Sequence, residues 1–108
     1  MVIFRFKDWQ VYKTAKQLFK LVVKVVDKLP KEYRYSIGDQ AIRSALSIML
    51  NIAEGSGKDS DKDLNRYFNI AVGSVNETLA VVDVIADLDF VSRGDYETVV
   101  SLCQSISK

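Results

Sequence analysis

Five lysines between positions 13 and 28 are the residues of this sequence whose type and spacing best suit binding chemistry. They recur every three or four residues, so a helix turning about 100° per residue would place them all on one face. Ammonium groups in such a row can contact the phosphates of RNA or DNA. The row consists of Lys13, Lys16, Lys20, Lys24 and Lys28, and only Asp27 intrudes among them.

Two interpretations of this lysine face are open: it contacts a nucleic-acid backbone, or it is an ordinary solvated helix surface. Base reading is less favoured than backbone contact, because no aromatic stacking platform is evident. One helix offers few phosphate contacts, and oligomerisation would multiply them. The charge is also uneven, since residues 1–35 hold nine basic and three acidic residues, whereas residues 36–108 hold six and eleven. Such a split can attract an anionic partner or a second copy of the chain.

A second polar stripe lies on the helix predicted for residues 37–54. It could line a ligand groove, but we favour a structural network between helices, because buried polar groups are usually retained as satisfied networks. We expect Arg43 to pair with Glu77 or Glu54, since a buried guanidinium without a carboxylate is costly. The predicted network consists of Gln40, Arg43, Ser47, Asn51, Glu54, Ser74 and Glu77.

The composition argues against most catalytic and metal sites. The sequence has no histidine and one cysteine, which excludes imidazole catalysis and an ordinary zinc site. Residues 55–58 (GSGK) resemble a phosphate loop only in part, because that motif needs glycine where Ile52 stands and Ser or Thr where Asp59 stands. We therefore predict no catalytic residue, no cofactor and no metal.

Cys103 is spaced for a core position, and a lone cysteine fits the reducing cytoplasm. The sequence shows neither a long uninterrupted apolar run nor a signal peptide. We therefore expect a cytoplasmic protein that does not contact membranes.

Helices must position these side chains, because apolar residues recur with a helical period along most of the chain. Four helices are predicted, over residues 9–29, 37–54, 61–88 and 95–107, within one domain spanning 1–108. Short connections predict an all-α, antiparallel up-down-up-down bundle. Gly55 is expected to cap the second helix, and Gly73 to permit a close helix crossing in the third. The first helix has an apolar arc wide enough to pack on two sides, the second being another helix or another subunit.

The chain resembles the family of small four-helix bundle proteins encoded within intervening sequences of bacterial large-subunit ribosomal RNA genes. The most specific part of the resemblance is the run 51–55 (NIAEG) followed at helical distance by Gly73 and Ser74. The sequence departs from the family pattern at Ile42, where a second arginine is usual, and within 48–50, where proline is frequent. The remaining similar positions are 6–15, 29–32, Gln40, Arg43, Ser47, Phe68, Ala71 and Glu77.

The resemblance implies a four-helix bundle that assembles into a homopentameric ring. It also implies kinship with the accessory proteins of diversity-generating retroelements, which are ring-shaped bundles that bind a reverse transcriptase and nucleic acid through a basic surface. Together with the residues above, this predicts a non-enzymatic, oligomeric scaffold that binds RNA or DNA backbone through the lysine face. The alternative is an adaptor for an enzyme partner, such as a reverse transcriptase, with no direct nucleic-acid role.

Overall fold

Residues 4–108, which a computed structural model describes, form four long α-helices and contain no strand. This confirms the predicted all-α bundle, and each predicted helix boundary lies within two residues of the observed one. A 3₁₀ turn (Arg5–Asp8) precedes the first helix, and a π-helical turn (Arg34–Gly38) precedes the third. The α-helices are α1 (Gln10–Asp27), the single turn α2 (Lys31–Tyr33), α3 (Asp39–Ser56), α4 (Asp61–Asp87) and α5 (Arg93–Ile106).

The four long helices pack in a ring around one core. Helix α1 packs against α3 and α5, and α4 packs against the same two helices, so that α1 and α4 face each other diagonally. The predicted apolar stripes point inward, because burying them removes the most apolar surface from water. The largest fully buried side chains of the core are Leu18, Val22, Leu29, Ile48, Ile52, Val75, Val82, Ile85 and Val99.

The π-helical turn brings the chain from α1 back onto the bundle. Arg34 closes the end of α1, since its Nε and Nη2 donate to the carbonyl oxygens of Leu29 and Asp27, each at 3.0 Å. These bonds satisfy carbonyls that a helix end leaves without an internal partner. Gly38 is buried where this turn meets α1, and a Cβ there would lie 2.8 Å from Cγ1 of Val26. The crossing therefore depends on a residue without a side chain.

The predicted role of Gly55 is wrong, and the close crossing predicted at Gly73 does not occur within one chain. Gly55 does not cap α3, because the helix continues through Ser56 and its C-cap is Gly57. Instead Gly55 is buried against α4, where a Cβ would lie 3.1 Å from Cβ of Tyr67. Gly73 is exposed, and a Cβ there would have no neighbour within 4 Å. Within one chain, the close crossing is thus at Gly55 rather than at Gly73.

Helix α4 has an apolar surface beyond what the core needs. By length and composition alone α4 could cross a membrane, and 33% of its most apolar stretch is buried in the bundle. The core helix of a bundle meets the same criterion, and α4 packs here between α3 and α5. Its outer side nevertheless leaves Ile70, Val84 and Leu88 exposed.

Replacing Gly38 by alanine should destabilise the fold by about 1–3 kcal/mol, because overpacking against the stiff, β-branched Val26 outweighs the gain in helix propensity. Gly94→Ala is the matched control, since Gly94 lies in α5 with open space around its Cα. Urea unfolding of both variants checks this. Equal stability of the two variants would contradict the steric argument.

Candidate nucleic-acid interface

All five lysines of the lysine face are exposed, four of them on α1 and Lys28 at its C-cap. From Lys13 to Lys28 the row extends about 22 Å along the helix, at 1.5 Å per residue. One lysine pairs with a carboxylate, since Nζ of Lys24 lies 3.9 Å from Asp95 at the start of α5. Asp27 is exposed within the row, as the sequence indicates. The face therefore carries a large excess of positive charge over its whole length.

The core fixes the direction in which these lysines point. Leu18 and Val22 of α1 are fully buried, and Val25 is nearly so. These side chains lie roughly opposite the lysines at about 100° per residue, so turning the helix to hide the lysines would expose the core. At the N-terminal end, Nζ of Lys16 lies 5.5 Å from the ring centroid of Tyr12. Core packing thus fixes which side of α1 carries the lysines toward solvent.

The polar stripe of α3 faces α4, and five of the seven residues of the predicted network meet there. The hydroxyls of Ser47 and Ser74 lie 2.9 Å apart. The side-chain amide of Asn51 donates to the Ser47 carbonyl at 2.8 Å and to its hydroxyl at 3.0 Å. The Gln40 amide donates to the Glu77 carboxylate. These bonds link the middle of α3 to the middle of α4.

Two buried hydroxyls that the sequence analysis missed extend this network. Thr78 Oγ1 lies 2.8 Å from both Ser44 Oγ and the Ser74 carbonyl oxygen, and Ser44 in turn donates to the Ala41 carbonyl at 3.1 Å. Thr78 follows Ser74 by four residues, so helical spacing was the available signal. No buried side-chain N or O atom lacks a partner in the part of the chain that the structure describes. The stripe is thus occupied by its own hydrogen bonds.

The expected pairing of Arg43 is wrong for the single chain. Glu54 pairs instead with Lys58, at 3.4 Å, and Glu77 accepts from Gln40. Arg43 is exposed, and none of the ion pairs among residues 4–108 includes it. Because water solvates the guanidinium, the penalty that motivated the prediction does not arise.

The reactive side chains of Cys103 and Tyr96 lie outside these regions and are held by burial and by a hydrogen bond, respectively. Cys103 is buried in the core, and desolvation raises the pKa of its thiol to about 11, so that it remains protonated at neutral pH. Tyr96 donates to Asp83 Oδ1 at 2.9 Å, and this bond is the main reason that the pKa of Tyr96 is raised. Within residues 4–108 no cluster of three His, Cys, Asp or Glu residues is placed to hold a metal.

Comparison with known proteins places this arrangement in a known fold. The sequence model of the 23S rRNA-intervening sequence protein family matches residues 7–108. A crystal structure of a protein of unknown function from the S23 ribosomal protein family of Bacteroides thetaiotaomicron is similar with a TM-score of 0.80. It is 24% identical, and the alignment covers 89% of this chain and 90% of that one. No curated protein matches the sequence.

The buried Ser44–Thr78 pair should show measurable coupling. Thr78→Val should lower the free energy of unfolding by about 1 kcal/mol, because it removes a hydrogen bond from a fully buried site. Ser44→Ala should lower the free energy of unfolding less in the Thr78→Val background than in the wild type, because the hydroxyl that Ser44 bonds is already absent there. Urea unfolding of the double-mutant cycle measures this.

Thr98→Val is the matched control for the hydroxyl pair. Thr98 bonds the carbonyl four residues earlier, as Thr78 does, but on an exposed surface. We expect Thr98→Val to change the free energy of unfolding by less than about 0.5 kcal/mol. Strictly additive costs for Ser44 and Thr78 would show that the pair is not coupled.

Proposed function

We propose that this chain, which belongs to the 23S rRNA-intervening sequence protein family, is a non-enzymatic scaffold that binds the phosphate backbone of RNA or DNA through the lysine face of α1. The family match confirms the resemblance found in the sequence. The observation that carries the proposal is that all five lysines are exposed on one side of a helix whose other side is locked in the core. The buried free thiol of Cys103 suits a reducing compartment, so we place this function in the cytoplasm.

Backbone binding suits this face better than base reading does. Lysine ammonium groups act as mobile point charges, which favour phosphate oxygens over a defined base edge. Lys13, Lys16 and Lys20 have no carboxylate within 4 Å among the described residues, so they remain available to a phosphate. Lys24 is partly neutralised by Asp95 and contributes less.

Self-association is the second part of the proposal, and the outer side of α4 supports it. Ile70 and Val84 there are 45% and 46% exposed, and Gly73, about one turn after Ile70, has open space around it. Exposed apolar side chains beside a glycine would let a helix of a second copy approach closely. We propose that copies meet on this side, and the family resemblance favours a ring of five. Assembly would multiply the lysine faces that one nucleic acid can contact.

The same apolar surface favours an alternative function. An adaptor for an enzyme partner, such as a reverse transcriptase, could use α4 for that partner, while the lysines merely keep the surface solvated. The two functions differ in their response to salt. Backbone binding weakens steeply as salt rises, whereas an apolar protein interface does not.

Reversing three charges of the lysine face should remove nucleic-acid binding. The variant Lys13→Glu, Lys16→Glu, Lys20→Glu spares Lys24 and its bond to Asp95. For wild-type protein, affinity for duplex DNA and for an RNA hairpin should fall steeply with salt, by a logarithmic slope of about 0.9 per phosphate contacted on DNA. Fluorescence anisotropy across a salt series measures both the affinity of the variant and the salt dependence of wild-type binding.

A control variant with the same charge change is Lys62→Glu, Arg93→Glu, Lys108→Glu. All three residues are exposed. Lys62 lies in the first turn of α4, where glutamate is favourable, and Arg93→Glu replaces an exposed ion pair with Glu97 by a weak repulsion. Its binding should stay close to that of the wild type. Equal losses in both variants would show only a net-charge effect. If the wild type binds neither nucleic acid, the adaptor is favoured.

Gly73→Gln should weaken self-association without weakening the fold. Glutamine has a higher helix propensity than glycine by up to about 1 kcal/mol, and the site is open in the single chain. At an interface the same side chain would block close approach. Asn76→Gln, at an exposed position of α4 three residues later, is the control. Light scattering should show a smaller particle for Gly73→Gln alone. An unchanged mass would place Gly73 outside the contact, and a monomeric wild type would refute assembly.

A further inference from the structure

Aromatic and cationic side chains gather at the end of the bundle where α1 begins. Four cation–π pairs lie among the described residues, and all are at this end. The 3₁₀ turn, the start of α1, the end of α3 and the start of α4 meet there. The pairs are Arg5 with Trp9, Lys16 with Tyr12, Lys58 with Tyr67, and Arg66 with Tyr67.

An open cleft of about 680 Å³ separates the 3₁₀ turn from the end of α3. Phe4 and Phe6 line one wall, and Leu50 lines the other. Phe4 is 63% exposed and Leu50 is 57% exposed, so apolar surface lines an accessible space. The rings of Phe4 and Phe6 meet edge to face, with centroids 6.3 Å apart. Such walls suit a flat, apolar ring inserted between them.

The rim of the cleft is charged, and its charge favours an anion. Arg5 donates from Nε to the Ser56 carbonyl oxygen at 2.8 Å, and its guanidinium lies 5.3 Å from the Trp9 ring centroid. Nε is the only one of its nitrogens with a hydrogen-bond acceptor among residues 4–108, so two nitrogens remain to donate. Lys58 pairs with Glu54, which is the one carboxylate among the described residues that line the cleft. The rim therefore carries one net positive charge, on a fixed guanidinium.

The cleft is continuous with the lysine face. The Phe6 ring, which lines the cleft, packs edge to face on Tyr12 with centroids 4.9 Å apart. Lys16, a member of the lysine face, lies over the same Tyr12 ring. A strand whose phosphates follow α1 toward its N-terminus would arrive at this cleft.

We propose that the cleft takes an unpaired nucleobase, which stacks against Phe4 while Arg5 contacts its phosphate or its edge. Aromatic stacking beside a cationic backbone track is how proteins hold single-stranded nucleic acid. The inference rests on the proposed function and specifies its ligand. The preferred ligand is RNA or DNA with unpaired nucleotides, rather than a perfect duplex whose bases are already stacked.

Phe4→Ala tests the stacking directly, because Phe4 is exposed and contributes little to the core. The probe is a short single-stranded RNA with one 2-aminopurine at its centre, alone or annealed to its complement. Phe4→Ala should weaken single-strand binding by about 5- to 100-fold and leave duplex binding within about twofold. The wild type should also change the 2-aminopurine fluorescence of the single strand, and the variant should not.

Tyr35→Ala is the matched control, since Tyr35 is an aromatic residue 77% exposed beyond the opposite end of α1. It should bind the single strand as the wild type does. If the lysine reversals weaken binding but Phe4→Ala affects neither RNA form, the cleft inference is overturned and the proposed function stands. Absence of any RNA binding overturns both. A change in particle mass for Phe4→Ala, with single-strand affinity unchanged, assigns the cleft to contacts between copies and also overturns the inference.

Discussion

The division of α1 into one buried and one charged side is the constraint on which the rest of the molecule depends. Its apolar side supplies the fully buried Leu18 and Val22 to the core, and α1 packs against both neighbouring helices of the ring. Burying those side chains leaves the helix no freedom to rotate, since even a partial turn would exchange apolar surface for ammonium groups in the core. The position of the lysines is therefore a consequence of core packing, and it is as stable as the fold.

Much of this architecture could be predicted from the sequence, because a helical period is a local property. The periodicity identified every long helix and its inward stripe, including the burial of Cys103. It could not identify relations between helices, which depend on how two surfaces meet. The sequence predicts a cap at Gly55 and a close crossing at Gly73, yet Gly55 lies against Tyr67 and Gly73 faces open space. Arg43 was assigned a buried ion pair for the same reason, since periodicity does not show how deep a stripe lies.

In the candidate site too, features within one helix could be predicted from the sequence, whereas features formed between elements could not. The lysine face belongs to a single helix, so spacing alone was sufficient to find it. The buried hydroxyls of Ser44 and Thr78 come from separate helices, and the spacing that relates Thr78 to Ser74 does not show that Ser44 meets Thr78. The cleft was still less predictable, because Phe4 and Leu50 are brought together by a 3₁₀ turn packed on α3. No sequence pattern indicates that Phe4 and Leu50 line opposite walls of one cleft.

The lysine face of α1 and the apolar outer side of α4 are placed so that both could be in contact with partners at the same time. Because α1 and α4 are diagonal in the bundle, a contact made through the outer side of α4 leaves the lysines of each copy exposed. In the proposed assembly, gathering like-charged faces would cost repulsive energy, and that cost would be largest at low salt. A polyanion laid across several faces relieves that repulsion and releases counterions from each contact. Nucleic-acid binding and self-association would therefore strengthen each other, even though no residue of the lysine face lies on α4, because both equilibria include the same electrostatic free energy.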